Sequence, residues 1–393
     1  MIWVILLLLS VASLLAVYSA SGSMAYKYES STEYYFVRQL AIILISFVAA
    51  YGIHNISYTF FQKLAPILYV VAMVLLFITM IWGVEINEAR RWIRIPLLGF
   101  TIQTSDFAKV ALIIFVAQRV AEYQDQIHDL KIVMLKIVLP ILLMCALIIP
   151  SDLSTALMMF TTCLIILFVG RMALLHMGVI VLGGVLLVSV IMVGGTLMPN
   201  SEVRSNTWIK RIQDFTTGGS DTYQIDQAKI AIAAGGLTGL GPGNSQQRNF
   251  LPYAYADFIY AIICEEYGLV GGFIIVFIYL YFLGRCIRVV TRSTRTFAAL
   301  LAVGLSISLT IQALLNIAVS VNLVPVTGLT LPMVSMGGTS TLFTAISFGI
   351  ILSVSHFTEQ QRKEMEREER LALEGGHLDI KPDPGSMPDE SHH

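Results

Sequence analysis

The chain has 393 residues, 56% of them hydrophobic and only 13% charged, with a formal net charge of −1 and a mean hydropathy of +0.75. Soluble domains carry about 25% charged residues, so the composition excludes an ordinary soluble protein. The near-zero net charge points to neither nucleic acid nor an acidic partner. Four cysteines, Cys145, Cys163, Cys264 and Cys286, sit in or beside apolar runs without pairing or metal-ligand spacing and read as small buried hydrophobes.

Apolar windows long enough to cross a bilayer, roughly 17–25 residues each, fall near 2–20, 37–53, 64–82, 106–121, 132–149, 153–170, 173–198, 258–283, 297–321 and 340–357. The expected fold is an all-α polytopic membrane protein of about ten helices. One large extracytoplasmic loop, 199–256, separates the seventh from the eighth and holds a short helix near Gln224–Ala234. The membrane domain covers 1–357, and 358–393 forms a cytoplasmic tail, first a charged helical extension from Thr358 to Leu373 and then a disordered Gly/Pro/Asp/Ser stretch. The first window carries no basic leader, so it reads as a retained helix rather than a cleaved signal peptide.

Lys and Arg in short loops set the orientation. Arg119, Lys131 and Lys136 flank one loop, Arg285, Arg288, Arg292 and Arg295 crowd another, and Arg362, Lys363, Arg367 and Arg370 follow the last helix. That side is the cytoplasm, which makes the chain a multi-pass protein of the cytoplasmic membrane with both termini in the cytoplasm and the segments 83–105, 199–256 and 322–339 outside.

Several residues then stand out in chain order. Arg90, Arg91 and Arg94 lie outside, against the bias, around Trp92. They read either as an interfacial helix anchored on headgroups or as a surface that grips an anionic head group such as a lipid pyrophosphate. Lys109 lies just inside the next helix. It either snorkels or pairs with Asp106 at i,i+3, with Glu265 or with Glu266. Asp152 follows a tight turn and reads as the cap of the helix that begins near Leu153. Asp257 opens the eighth helix as a possible N-cap, and Glu265 and Glu266 lie about two turns deeper. At that depth they are expected to pair with buried donors such as Lys109, Gln312 or Asn316. Pro325, Gly328, Pro332, Gly337 and Gly338 forbid a continuous helix before Thr341. Ser335 offers a hydroxyl there, and amides near Gly337-Gly338 could bind an anion, or the stretch is a plain re-entrant turn. No metal motif, phosphate loop or Ser/His/Asp triad is present in the sequence.

The ordered motifs resemble one family. Ala89-Arg90-Arg91-Trp92-Ile93 is similar to its Gly-Ala-x-Arg-Trp-Ile, with Glu88 in place of the glycine. Gln103-Thr104-Ser105-Asp106-Phe107-Ala108-Lys109 resembles Gln-Pro-Ser-Glu-x-x-Lys, and Asp152-Leu153-Ser154-Thr155-Ala156 resembles Pro-Asp-x-Gly-Thr-Ala. Gly243-Asn244-Ser245 through Asp257-Phe258-Ile259 matches at Gln247, Leu251, Pro252 and Asp257, while Arg248 replaces Lys, Tyr253 replaces Glu and Ala256 replaces Thr. Gly328-Leu329-Thr330-Leu331-Pro332 and Ser335-Met336-Gly337-Gly338 resemble the final motif. These residues identify the chain as resembling the RodA/FtsW/SpoVE family of shape, elongation, division and sporulation polymerases, with Gly-Leu-Thr-Leu-Pro closer to the FtsW division branch than to the RodA elongation branch.

The resemblance implies a glycosyltransferase that polymerises lipid II into peptidoglycan strands on the outer membrane face and releases polyprenyl pyrophosphate. It implies a class B penicillin-binding transpeptidase as partner, together with other divisome membrane proteins, and no nucleic acid. Matched by position, the catalytic aspartate is Asp257. Arg91, Trp92, Gln103, Lys109, Gln247, Arg248, Ser335, Gly337 and Gly338 are candidates for substrate binding, and Asp106, Asp152, Glu265 and Glu266 for structural charge pairs. No dedicated metal site or cofactor is expected. A divalent cation, Mg2+ or Mn2+, would act only with the lipid pyrophosphate. A lipid II flippase and a non-catalytic scaffold for the transpeptidase are the alternatives.

Overall fold

The computed structural model describes residues 1–22, 31–86, 89–94, 101–197, 208–211, 213, 215, 222–251 and 254–376. Its helices are α1 Ile2–Ala20, α2 Thr32–His54, α3 Tyr58–Trp82, α4 Thr104–Glu122, α5 Leu130–Ile148, α6 Leu153–Val169, α7 Leu174–Leu197, α8 Thr222–Gly235, α9 Ile259–Thr291, α10 Thr296–Ser320 and α11 Thr339–Gly376. Their starts follow ordinary chemistry. The side chains of Ser31, Ser57 and Asp152 accept from backbone N–H groups of the first turns of α2, α3 and α6. Within α5, Met134–Val138 forms a π-turn just before Pro140, whose missing N–H already interrupts the ladder.

Among the described residues, eight helices are long and apolar enough to cross a membrane: α1, α2, α3, α5, α7, α9, α10 and α11. The other two expected windows behave differently. α6, apolar throughout, has 17 residues and so sits at the short end of the spanning range. The 19 residues of α4 include Asp106, Lys109, Arg119 and Glu122, and most of the helix is buried. Burial separates centre from periphery: 72% of the central window of α10 is buried, against 11% for α7. Large apolar side chains such as Val48, Phe77, Leu175 and Phe273 are exposed on the outer helices. That is the surface a hydrocarbon solvent requires, and the chain is a multi-pass membrane protein.

Two departures from continuous helix shape one end of the bundle. The first is a small antiparallel sheet of β1 Val84–Ile86, β2 Ala89–Arg94 and β3 Thr101–Gln103, in which Trp92 lies opposite both Val84 and Gln103. The expected interfacial helix around Trp92 is therefore incorrect. Pairing with β1 on one side and β3 on the other gives the backbone of β2 ladder partners along its length.

The second is a break in α9 at Gly268, with φ 69° and ψ −172°. The run after α8 crosses there. Leu240 and Gly241 donate to the carbonyls of Glu265 and Glu266 at 2.9 and 3.0 Å, and Leu269 donates to Gly236 O at 2.9 Å. The approach is so close that a Cβ on Gly268 would meet Leu237 O at 2.2 Å, and one on Gly239 would meet Glu266 O at 2.1 Å. Backbone groups freed by the break are thus re-paired by a neighbouring segment, as irregular chain at membrane depth must be.

Candidate functional site

The residues singled out by sequence gather at the end of the bundle that carries the sheet, the α8 region and the segment before α11. α10 organises this end. Gln312 and Asn316 lie one turn apart on α10 and are both buried. Asn316 Nδ2 donates to Asp257 O at 2.9 Å and to Leu329 O at 2.7 Å. Gln312 Nε2 donates to Thr330 O at 2.9 Å. The glycine- and proline-rich segment is fastened further. Ser335 Oγ donates to Ala256 O at 2.6 Å and accepts from Leu331 N at 2.9 Å, while Met336 N donates to Tyr255 O at 2.9 Å. Both strands of irregular chain, 254–257 and 329–336, are therefore held against each other and against α10.

Asp257 sits in that frame, partly open to solvent. It does not cap α9 as expected: the N-cap is Phe258, which makes no side-chain cap, and the helix starts at Ile259. Its carboxylate instead faces the turn at Gly328, where φ is +70° and a Cβ would lie 3.9 Å from Oδ2. Burial pushes the Asp257 carboxyl up to about 6, while the charges of Arg91 and Arg211 pull it down and Asp152 pushes it up. A carboxyl poised there is ionised at neutral pH yet basic enough to take a proton.

Arg91 is placed by β2. Its guanidinium pairs with Asp152 at 3.0 Å and donates from Nε to Ser151 O at 2.9 Å. Asp152 caps α6 as expected, accepting from Thr155 N at 3.1 Å and from Thr155 Oγ1 at 2.7 Å. The charge pair expected at Asp152 has Arg91 as its partner, which the sequence did not name. It fixes the sheet to α6 and presents a positive charge towards Asp257. Trp92 is half-buried in β2, and Gln103 bridges β3 to neighbouring turns, donating to Thr339 Oγ1 at 3.3 Å and to Ser105 Oγ at 3.1 Å. Arg211, which the sequence reading passed over, donates to Val326 O at 3.0 Å and stacks 5.4 Å from the Trp208 ring. A basic residue on the external side was the available signal, the same one that singled out Arg91.

Lys109 is buried and does not snorkel. Its Nζ lies 3.5 Å from Asp106 Oδ1 and donates to Gln312 Oε1 at 2.7 Å. Of the three acids considered as partners, Asp106 is the one found. Glu265 and Glu266 are elsewhere, which corrects the expected pairing with Lys109, Gln312 or Asn316. Glu265 accepts from Gln246 N at 2.9 Å, Gln247 N at 3.2 Å and the Ser245 hydroxyl. Glu266 accepts from Ser245 N at 3.3 Å and from the Ser19 hydroxyl. The reason is the break at Gly268: the chain from Gly239 to Arg248 folds onto α9 at this depth and supplies the donors.

Gln247 and Arg248 belong to this staple rather than to the neighbourhood of Asp257. Arg248 Nη1 donates to Ser19 O at 3.2 Å and Gly243 O at 3.1 Å. Ser335 is buried and occupied by backbone, and Gly337 packs so that a Cβ would meet Ser340 Cβ at 3.1 Å. Gly338, with φ +56°, lets the chain turn into α11. Pro252 and Tyr253 lie outside the described residues, as does Glu88. Cys145, Cys163, Cys264 and Cys286 are all buried and free.

The sequence and the fold have known counterparts. The family model described as "Cell cycle protein" for FtsW, RodA and SpoVE matches residues 1–360. Stage V sporulation protein E of Bacillus subtilis is 34% identical over 371 residues, covering 90% of this chain and 96% of that protein. A probable peptidoglycan glycosyltransferase FtsW of Trichlorobacter lovleyi is 33% identical over 366 residues, covering 89% and 92%. Among solved structures, a chain of a peptidoglycan synthase complex that coordinates polymerization and crosslinking superposes with a TM-score of 0.70 at 21% identity, covering 91% of this chain and 98% of that one. The rod shape determining protein RodA of Thermus thermophilus superposes with a TM-score of 0.62 at 23% identity, covering 89% and 95%. The chain therefore belongs to the FtsW/RodA/SpoVE family of cell cycle proteins.

Proposed function

We propose that this protein is a peptidoglycan glycosyltransferase that polymerises lipid II at the outer face of the cytoplasmic membrane, with both termini in the cytoplasm. The observation that carries the reading is Asp257, partly open among fixed backbone, with two guanidinium groups in electrostatic range. A sugar 4-hydroxyl is a poor nucleophile at neutral pH. Asp257 takes its proton as the oxygen attacks the anomeric carbon of the donor. The bond from that carbon to the pyrophosphate oxygen breaks, and polyprenyl pyrophosphate departs as an anion that needs no proton. A single displacement of this kind turns an α-linked donor into a β-linkage.

The charges of Arg91 and Arg211 act on the Asp257 carboxylate, so they are suited to the charge that develops on the leaving group. Lys109 acts one step removed, through Gln312, which in turn holds Thr330 O in the segment opposite Asp257. A divalent cation, Mg2+ or Mn2+, would arrive with the pyrophosphate. Among the described residues no group of three or more His, Cys, Asp or Glu side chains stands together to hold one.

The division branch is favoured by the Gly328-Leu329-Thr330-Leu331-Pro332 wording, and family membership motivates a class B penicillin-binding transpeptidase as the partner. The test uses purified full-length protein with labelled lipid II, alone and with that transpeptidase. Glycan polymer in either case supports the reading. Folded protein that yields none in both, or that only moves lipid II across a vesicle bilayer, contradicts it.

A further inference from the structure

At the other end of α9, roughly 40 Å along the helix from Asp257, a cavity of about 90 Å³ lies between α9 and α11. That is room for several waters. α9 contributes Arg285, Arg288 and Arg292, whose spacings of three and four place them on one face. α11 contributes Ser355, Thr358, Glu359 and Arg362. The single carboxylate is already engaged: Lys363 Nζ donates to Glu359 Oε1 at 3.0 Å. Arg362 leans on Glu366 at 3.4 Å. Arg285 Nε is buried and has no hydrogen-bond partner among the described residues.

Cytoplasmic loops are rich in arginine in any membrane protein, but that bias asks only for positive charge on one side. It does not ask four guanidinium groups from two helices to line one cavity beside two hydroxyls. Like charges at i,i+3 and i,i+4 repel, and a planar guanidinium left unpaired in a cavity is matched best by a phosphate. On the same face of α9, one to two turns before Arg285, Phe277 and Tyr281 are exposed apolar side chains.

We propose that this cavity binds a phosphate group, and that the group is the headgroup phosphate of an anionic lipid whose acyl chains lie along α9. Its class is a phosphodiester lipid, and it is separate from the substrate pyrophosphate at the other end.

The test is thermal unfolding of delipidated full-length protein titrated with phosphatidylglycerol, phosphatidylcholine or inorganic phosphate. Native mass spectrometry counts the lipid retained in parallel. Phosphatidylglycerol is expected to raise the melting temperature and to be retained, with phosphatidylcholine doing neither. Arg285→Gln with Arg288→Gln should weaken the apparent affinity about thirtyfold, from about tenfold per 1.4 kcal/mol and about 1 kcal/mol per arginine. Arg370→Gln, exposed on the same side outside the cavity, should change nothing. If the double variant fails to fold, Thr358→Val and the wild-type lipid count decide. A full shift from inorganic phosphate alone would overturn the lipid source. An equal response from wild type and cavity variants, or equal retention of the two lipids, would overturn the site.

Discussion

Two acidic sites flank the start of α9, and they are built in opposite ways. Glu265 and Glu266 are buried and wrapped in donors: backbone N–H groups of 245–247 and the hydroxyls of Ser245 and Ser19. Asp257, eight residues earlier in the sequence, has its backbone pinned by Asn316, while its half-buried side chain feels the charges of Arg91 and Arg211 and its carboxylate oxygens carry no backbone staple among the described residues. A carboxylate whose acceptor capacity is filled by backbone is a structural staple. One whose frame is rigid but whose oxygens are left free of donors can exchange a proton with a substrate. The comparison teaches that burial of charge in this bundle has two solutions, and that the occupancy of the acceptor oxygens tells them apart.

The largest effect should come from the open site. Asp257→Ala is expected to lower glycan polymerisation by about 10²–10⁴-fold, the usual worth of a general base, while melting close to wild type. Near wild-type polymer from this variant would remove Asp257 from the chemistry. Next, Lys109→Met should strand Asp106, whose Oδ2 already has no partner among the described residues. A loss of about 3–5 kcal/mol follows from breaking a buried pair, and adding Asp106→Asn should restore much of the melting temperature. Absence of coupling between the two positions would show that the pair is not what holds α4.

Glu265→Ala is expected to destabilise by about 1–3 kcal/mol, the cost of leaving buried donors unsatisfied, read as a lower melting temperature. The smallest effect is in pH. Asp257 is raised from 3.8 to about 6, so polymerisation should rise as pH increases through about 6 and level off above it. The linked stability has the opposite sense: the protonated form is favoured in the fold, so its contribution is complete below 3.8 and is lost as pH rises through about 6. Arg91→Gln removes a charge that lowers Asp257 and leaves Asp152 unneutralised. Its rate profile should therefore move to higher pH. A profile that stays in place would mean that Arg91 serves only the sheet and α6.

Much of the bundle is legible in sequence because apolar runs of membrane length have few other uses. The Asp106–Lys109 pair is legible for the same kind of reason, since i,i+3 on a helix leaves little choice. The site was harder wherever the chain leaves regular helix. The composition around Trp92 fits an interfacial helix as readily as a headgroup-binding surface, and the strand it forms depends on pairing with β1 and β3 that no local pattern encodes. A single straight α9 would give Glu265 and Glu266 deep partners, and the break at Gly268 changes that. Gly268 and the glycines from Gly235 to Gly243 were the signal that a second segment crosses there. Gln312 and Asn316 were visible as polar residues one turn apart in an apolar run, but their role in holding Asp257, Leu329 and Thr330 depends on contacts that no local pattern encodes.

The most direct measurement crosses the two sites with isosteric changes. Asp257→Asn and Glu265→Gln are prepared together, and each is read for melting temperature and for polymerisation of labelled lipid II with the transpeptidase present. The account predicts that Asp257→Asn loses polymer while melting no lower than wild type at pH 8, because the removed charge opposed folding. It predicts that Glu265→Gln melts lower and, below its melting transition, still makes polymer. The reverse pattern, a polymerising Asp257→Asn beside a stable but inactive Glu265→Gln, would contradict it.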